Sequence, residues 1–319
     1  MTDTTALFAP VAADLAAVEA CLVQSANGQH PLLADALRYV FDTRGKRLRP
    51  AFVLLSGALG EYDLDRLVLL AASLEVVHTA SLVHDDTIDE AITRRGLTTV
   101  NSVWDKHTAI VTGDFLFAKS AELASRMDSV RIMHMLSETV MAMCAGEMRQ
   151  YAFKNNWSIS IDEYLERVGA KTASLFAMCC SGAGVATGQS DSQIEALHAY
   201  GYNAGLAFQI VDDILDFVSN EKTLGKPAGS DLRQGTITLP AILFIQKLSP
   251  SAPLRLRLQH GEDSGLAAEL IRESGALEEA RDYAIRAAQE AQRVLSVFPP
   301  GQAVRALMEL AEYLPTRSR

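Results

Sequence analysis

The chain contains no proline between Pro50 and Pro227. Proline removes a backbone hydrogen bond from any helix it enters, so its absence leaves room for long unbroken helices. The interval is rich in Ala, Leu, Met, Glu and Ile and lacks strand-like alternation between turn clusters, which predicts a succession of helices. A glycine-rich strand-to-helix phosphate loop is also missing, which argues against an α/β nucleotide fold. Cysteine is scarce: Cys21 and Cys144 stand alone and Cys179 and Cys180 are adjacent, with none of the spacings of a zinc site or disulfide framework. They read as buried thiols in a reducing compartment. Basic charge is in deficit, the formal net being −10 over 319 residues. That argues against a nucleic-acid partner, which calls for a basic face, but allows a small phosphorylated ligand held by a local group of cations. Met1 to Pro10 lacks the basic start and apolar core of a secretion signal. The longest uncharged run, Thr172 to Ser190, is broken by Ser, Thr, Gln and three glycines, a poor membrane span. The expectation is therefore a cytoplasmic protein without a transmembrane segment.

The punctuation that is present places helices at about 6–25, 31–43, 48–59, 64–91, 103–126, 129–153, 160–182, 191–220, 235–247, 265–272, 276–295 and 301–314. No internal repeat divides the chain, so it reads as one all-α domain over residues 1–319. The helix from Leu64 is apolar almost all round, as a central buried helix should be. Ser160 followed by Glu163 forms a candidate capping box for the helix that holds Lys171. Between Lys222 and Gly235 several glycines and charges interrupt the pattern, which suggests a lid-like loop. Ser249 to Pro253 reads as a surface connection.

The sequence Asp-Asp-x-x-Asp occurs twice, as Asp85-Asp86-Thr87-Ile88-Asp89 and Asp212-Asp213-Ile214-Leu215-Asp216, each time after an apolar helical stretch. Residues four apart lie on one helix face, so Asp85 stacks with Asp89 and Asp212 with Asp216. Carboxylates this close repel one another, and at the end of a helix they also meet the unfavourable pole of its dipole. A positive partner must offset this. Mg²⁺ suits the role, since it is held by a few carboxylates together with the oxygens of a substrate phosphate. One copy would be weak evidence; two, both after apolar helices, argue against a merely solvated acidic patch.

Chemistry on a diphosphate also needs cations that stabilise the departing charge. Arg94 and Arg95 follow the first motif, Lys226 follows the second, and Lys171-Thr172 opens the uncharged run. Arg44-Gly45-Lys46-Arg47-Leu48-Arg49-Pro50 packs four cations before an apolar helix, where a second anion could bind.

With these segments in view the chain resembles the trans-isoprenyl diphosphate synthase (polyprenyl synthetase) family, of the medium- or long-chain type, over essentially its whole length. The matching segments are Gly45 to Pro50, Glu75-Val-Val-His78, Leu82 to Asp89 with Arg94-Arg95-Gly96, Gly113 to Leu116, Gly146-Glu147 with Gln150, Lys171-Thr172, Phe208-Gln209 with the second aspartate motif, and Gly225-Lys226 with Asp231. Arg44 departs from the pattern, standing where the family usually has a glycine. The resemblance implies a bundle of long antiparallel helices around a central cavity, the isoprenoid synthase fold, and a homodimer. It implies that Asp85, Asp86, Asp89, Asp212, Asp213 and Asp216 hold Mg²⁺, about three ions per active site. Arg94, Lys171, Thr172, Gln209 and Lys226 would contact the allylic diphosphate (dimethylallyl, geranyl, farnesyl or geranylgeranyl). Lys46, Arg47, His78 and Arg95 would bind the diphosphate of isopentenyl diphosphate. The aspartates with Arg94, Lys171 and Lys226 would carry the catalysis: the allylic diphosphate departs, the isopentenyl double bond attacks the cation, and a proton is lost.

The residues one turn before Asp85, Ala80 and Ser81, are small and would leave a channel for the growing prenyl chain open. The expected product is long, about C30 to C50 as the family implies. Geranylgeranyl or farnesyl diphosphate synthesis by the same family is the alternative. A di-iron helical protein is a remote rival, because Glu75-x-x-His78 and Glu195-x-x-His198 are two Glu-x-x-His pairs, but it leaves both aspartate motifs unexplained. A terpene cyclase would have no use for a second diphosphate site, and regulatory subunits of two-component synthases typically lose aspartate motifs that are intact here.

Overall fold

The computed structural model describes residues 7–26, 30–42, 45–94, 96–218, 229–259 and 264–317, and their regular structure is almost entirely helical. The helices are α1 Ala12–Ser25, α2 Pro31–Asp42, α3 Leu48–Gly57, α4 Leu64–Ile88, α5 Val100–Val103, α6 Lys106–Ser125, α7 Val130–Ala152, α8 Ile161–Val168, α9 Ser174–Ala186, α10 Asp191–Val218, α11 Ser230–Arg233, α12 Leu239–Lys247, α13 Pro253–Gln259, α14 Ser264–Glu273, α15 Ala276–Val294 and α16 Gln302–Tyr313. Among the described residues the one sheet is an antiparallel pair, β1 Thr93–Arg94 with β2 Leu97–Thr98. Residues form two compact units, one from Met1–Val140, Leu175–Gly201 and Leu295–Glu309, the other from Met141–Ser174, Tyr202–Val294 and Leu310–Arg319.

In the first unit α4 is the axis, packed by α6, α3 and α1. Asp63 caps its start by accepting from the Arg66 N–H at 3.2 Å. Leu67, Leu70, Leu74, Val76 and Val77 are fully buried, each contributing about 1.5–3 kcal/mol of transfer free energy. Ser73 Oγ donates to the Ser120 carbonyl at 2.8 Å and so pins α4 to α6. In the second unit α12 packs on α15, α14 and α8. The expected capping box is present: Glu163 N–H donates to Ser160 Oγ at 3.2 Å, and Ser160 N–H donates to Glu163 Oε2 at 2.8 Å.

The structure departs from the sequence expectations at several places, two of them with a local cause. The helix expected to reach residue 91 stops at Ile88, because Glu90 turns left-handed (φ 51°) and the Ala91 N–H returns to the Asp86 carbonyl at 2.9 Å, a Schellman closure. The helix expected over 160–182 contains a π turn at Gly169–Ala173. α13 begins within the expected surface connection; Pro253 sits at its first position, where a missing N–H costs nothing. Of the cysteines, Cys179 and Cys180 are buried as expected, but Cys144 is exposed and Cys21 half-buried. Among the described residues two helices, Leu64–Ile88 and the continuous Ile161–Ala186, are long and apolar enough to cross a membrane, and 61% and 72% of their apolar windows are buried inside the protein. Burial of that extent is what core helices show.

Candidate active site

The first aspartate motif occupies the last turn of α4, where its carboxylates meet the negative end of the helix dipole. Asp86 is buried, Asp85 half-buried, and Asp89 exposed as the C-cap residue. The Schellman closure reverses the chain into the β1–β2 hairpin, whose register pairs Arg94 with Leu97 around a turn that uses Gly96 at φ 80°. This return delivers Arg94 to the motif, its Nε donating to Asp86 Oδ1 at 2.7 Å. The hairpin is thus what converts an arginine eight residues downstream into the partner of a buried aspartate. His84 takes a packing role, with Nε2 3.1 Å from the Ile110 carbonyl and its ring beside Phe117.

The residues assigned to a second anion also lie in the first unit, as far as they are described. Lys46 is exposed in the segment that enters α3. Arg47 is the left-handed N-cap residue of α3 (φ 49°) and forks onto Glu19 at 2.6 and 2.9 Å, while its other nitrogen reaches Glu75 at 3.1 Å. His78 follows Glu75 by three residues on α4 and is half-buried. Glu75 thus spends one oxygen on Arg47 and is itself buried. Ala80 is fully buried on the same helix and Ser81 half-buried, its Oγ donating to the His78 carbonyl at 2.8 Å.

The second motif, near the end of α10, is fastened by a larger set of partners. Asp213 is 3% exposed, and both of its oxygens accept hydrogen bonds: Oδ2 from Tyr164 Oη at 2.6 Å and Oδ1 from Gln209 Nε2 at 2.8 Å. Gln209 in turn accepts from Thr172 Oγ1 at 3.0 Å. Burial, with the neighbouring Asp231 carboxylate, pushes Asp213 up to about 7, and the two donated hydrogen bonds oppose this only in part. Asp212 pairs with Arg317 at 2.6 Å. The backbone holds Asp216: the Gly229 N–H donates to its carbonyl at 2.9 Å and the Asp231 N–H to its Oδ2 at 3.1 Å. Lys171 lies on the π turn and pairs with Glu147. A Cβ on Gly146 would sit 2.5 Å from the Lys171 backbone nitrogen, so only glycine lets α7 approach that turn. π turns recur at functional positions, and this one carries both Lys171 and Thr172.

Arg95 and Lys226, with Arg44 and the first part of the expected lid, lie outside the described residues. The end of that expected lid is described, and its Gly229 and Asp231 are the residues whose N–H groups hold Asp216. Sequence reasoning misses Tyr164 and Arg317: nothing around either marks it as the partner of an aspartate 49 or 105 positions away. Among the described residues no three His, Cys, Asp or Glu side chains converge into a closed metal cage. The donors offered are carboxylates that keep part of their surface, Asp85 and Asp89 in the first motif and Asp212 and Asp216 in the second. That chemistry fits a hard divalent ion that keeps some waters and takes its other ligands from a substrate phosphate.

Residues 30–273 match the polyprenyl synthetase family, and the chain belongs to that family. It is an all-α prenyl-transferring enzyme of the medium- and long-chain branch. Heptaprenyl diphosphate synthase component 2 of Bacillus subtilis is 37% identical over 308 residues, covering 95% of this chain and 88% of the relative. A decaprenyl diphosphate synthase from Rhodobacter capsulatus has the same fold, with a TM-score of 0.92 at 32% identity over 99% of this chain and 100% of that one. A polyprenyl synthase from Caulobacter crescentus, solved with calcium and isoprenyl diphosphate, superposes with a TM-score of 0.93 at 34% identity over 98% and 97% of the two chains.

Proposed function

We propose that the chain, acting as one synthase domain, is a Mg²⁺-dependent trans-prenyltransferase that adds isopentenyl diphosphate head-to-tail to an allylic diphosphate. The observation that carries this reading is that each aspartate motif is built with its own cationic side chain against it, Arg94 on Asp86 and Arg317 on Asp212. Asp85, Asp86, Asp89, Asp212, Asp213 and Asp216 form the metal-binding set, with Asp213 contributing orientation and charge from its buried position. Divalent ions, when bound, supply positive charge to the diphosphate oxygens. Arg94, Lys171, Thr172, Gln209 and Lys226 bind the allylic diphosphate and take up the negative charge that develops as its C–O bond breaks. Lys46, Arg47, His78 and Arg95 bind the isopentenyl diphosphate so that its double bond attacks the allylic carbon. The proton lost from the new cation goes to the departing diphosphate, and no side-chain base is required.

The product is an all-trans chain of about C30 to C50. Buried Ala80 and half-buried Ser81, too small to block a channel, support this, as does the heptaprenyl and decaprenyl chemistry named for the two relatives. The reading extends to a homodimer in the cytoplasm, which sedimentation and fractionation would test. Incubating the purified chain alone with farnesyl diphosphate, radiolabelled isopentenyl diphosphate and Mg²⁺, then chromatographing the products, tests the reaction. Long-chain product abolished by chelator is expected. A product no longer than geranylgeranyl diphosphate would overturn the length, and turnover only after adding a second protein would make this chain one component of two. Ala80→Phe should shorten the product; an unchanged length would place the channel floor elsewhere.

A further inference from the structure

Arg317 lies beyond the family match, and an arginine side chain ordinarily sits in water. Its side chain is instead 5% exposed. The 3₁₀ turn Leu314–Thr316 anchors the segment, with Leu314 and Pro315 buried and Arg281 donating to the Pro315 carbonyl. The guanidinium is then fixed three ways. Its carbon lies 3.9 Å from the centre of the Phe208 ring, and one nitrogen donates both to the Phe208 carbonyl at 2.5 Å and to Asp212 Oδ1 at 2.6 Å. Phe208 precedes Asp212 by four residues, so stack and carboxylate lie on one face of α10.

This arrangement is costly. Burying a guanidinium forfeits its hydration, and Arg317 Nε is buried with no acceptor among the described residues. A contact that costs stability and ends on a candidate ligand points to the ligand's orientation as its purpose. Arg317 engages only Oδ1, and the Asp212 side chain keeps 41% of its surface. The geometry points to Arg317 as a positioning residue that sets the rotamer of Asp212, so that its other oxygen faces an incoming divalent cation. Partners behind a metal ligand typically matter about tenfold to a hundredfold in metal affinity. The clamp is permanent: a guanidinium stacked, hydrogen-bonded and buried does not leave when the metal arrives.

This inference rests on the metal-dependent function proposed above, and Mn²⁺ binding separates the two because it is read without turnover. Mn²⁺ is titrated into the full chain together with an unreactive allylic thiodiphosphate, and free ion is followed by electron paramagnetic resonance. Arg317→Met is expected to melt cooperatively and to weaken Mn²⁺ binding at the affected site about tenfold or more. Arg317→Lys keeps the charge but loses the planar fork, and should fall between. In the activity assay the Mg²⁺ concentration for half-maximal rate should rise in the same order, with the KM for isopentenyl diphosphate unchanged. Unaltered or tighter Mn²⁺ binding in either variant overturns the inference. Should Arg317→Met not fold, Arg317→Lys decides alone by the same criterion. A wild-type chain that binds Mn²⁺ yet makes no prenyl product contradicts the proposed function, while the Mn²⁺ titration still rules on Arg317.

Discussion

The two aspartate motifs share a spacing but are built differently. The first ends a helix, with Asp89 exposed as its cap and Arg94, itself 37% exposed in its side chain, brought back by a hairpin. The second has each aspartate tied to a different element of its unit: Asp212 to the chain terminus, Asp213 to α8 through Tyr164, and Asp216 to the Gly229–Asp231 turn. Asp86, buried near a helix end, takes a cation from eight residues away. One that is 3% exposed must have its oxygens filled by donors fixed elsewhere, or remain protonated. The same three-aspartate pattern can thus be fastened by a nearby cation in one place and by several distant elements in another.

If both motifs serve the proposed reaction, removing one carboxylate of either should have the largest effect. Asp86→Asn and Asp212→Asn are each expected to lower labelled isopentenyl diphosphate incorporation roughly a hundredfold to a thousandfold, as when a preorganised electrostatic group is lost. A loss confined to one variant would mean that only one motif works in catalysis. Stability should then split the motifs. Tyr164→Phe leaves a fully buried carboxylate short of a donor, and urea unfolding should show a loss of about 1.5–3 kcal/mol. Arg94→Met takes the partly exposed arginine from buried Asp86 and should cost about 1 kcal/mol, less than Tyr164→Phe, while slowing turnover. Equal losses in the two variants would erase the distinction between a pre-built and a semi-exposed motif. The smallest effect is expected from Ser160→Ala, which removes the cap of the helix carrying Tyr164 and should cost about 0.5–1 kcal/mol by the same unfolding measurement with turnover kept.

What the sequence makes legible depends on how far apart the interacting residues lie. The helical character follows from the missing prolines, and the Ser160–Glu163 capping box from three-residue spacing, because both are local. Both aspartate motifs are legible for the same reason. The hairpin is not, since two residues per strand are too few to show alternation. Nor is α13, because Pro253 reads as a helix breaker although the first turn of a helix tolerates it. The partners that fasten the second motif are least accessible: Tyr164 and Arg317 are ordinary residues until the fold brings them to an aspartate far along the chain. Arg47 shows the reverse. Its basic neighbourhood is evident, but its double engagement by Glu19 and Glu75 is a tertiary fact.

The most direct measurement is anomalous scattering from crystals of the chain grown with Mn²⁺ and an unreactive allylic thiodiphosphate. Manganese peaks should lie at about 2.0–2.3 Å from at least one carboxylate oxygen of each motif, in contact with the diphosphate. Peaks at one motif only, or a diphosphate bound with no metal against Asp85, Asp89, Asp212 or Asp216, would contradict the proposal that both motifs serve one metal-dependent ionisation.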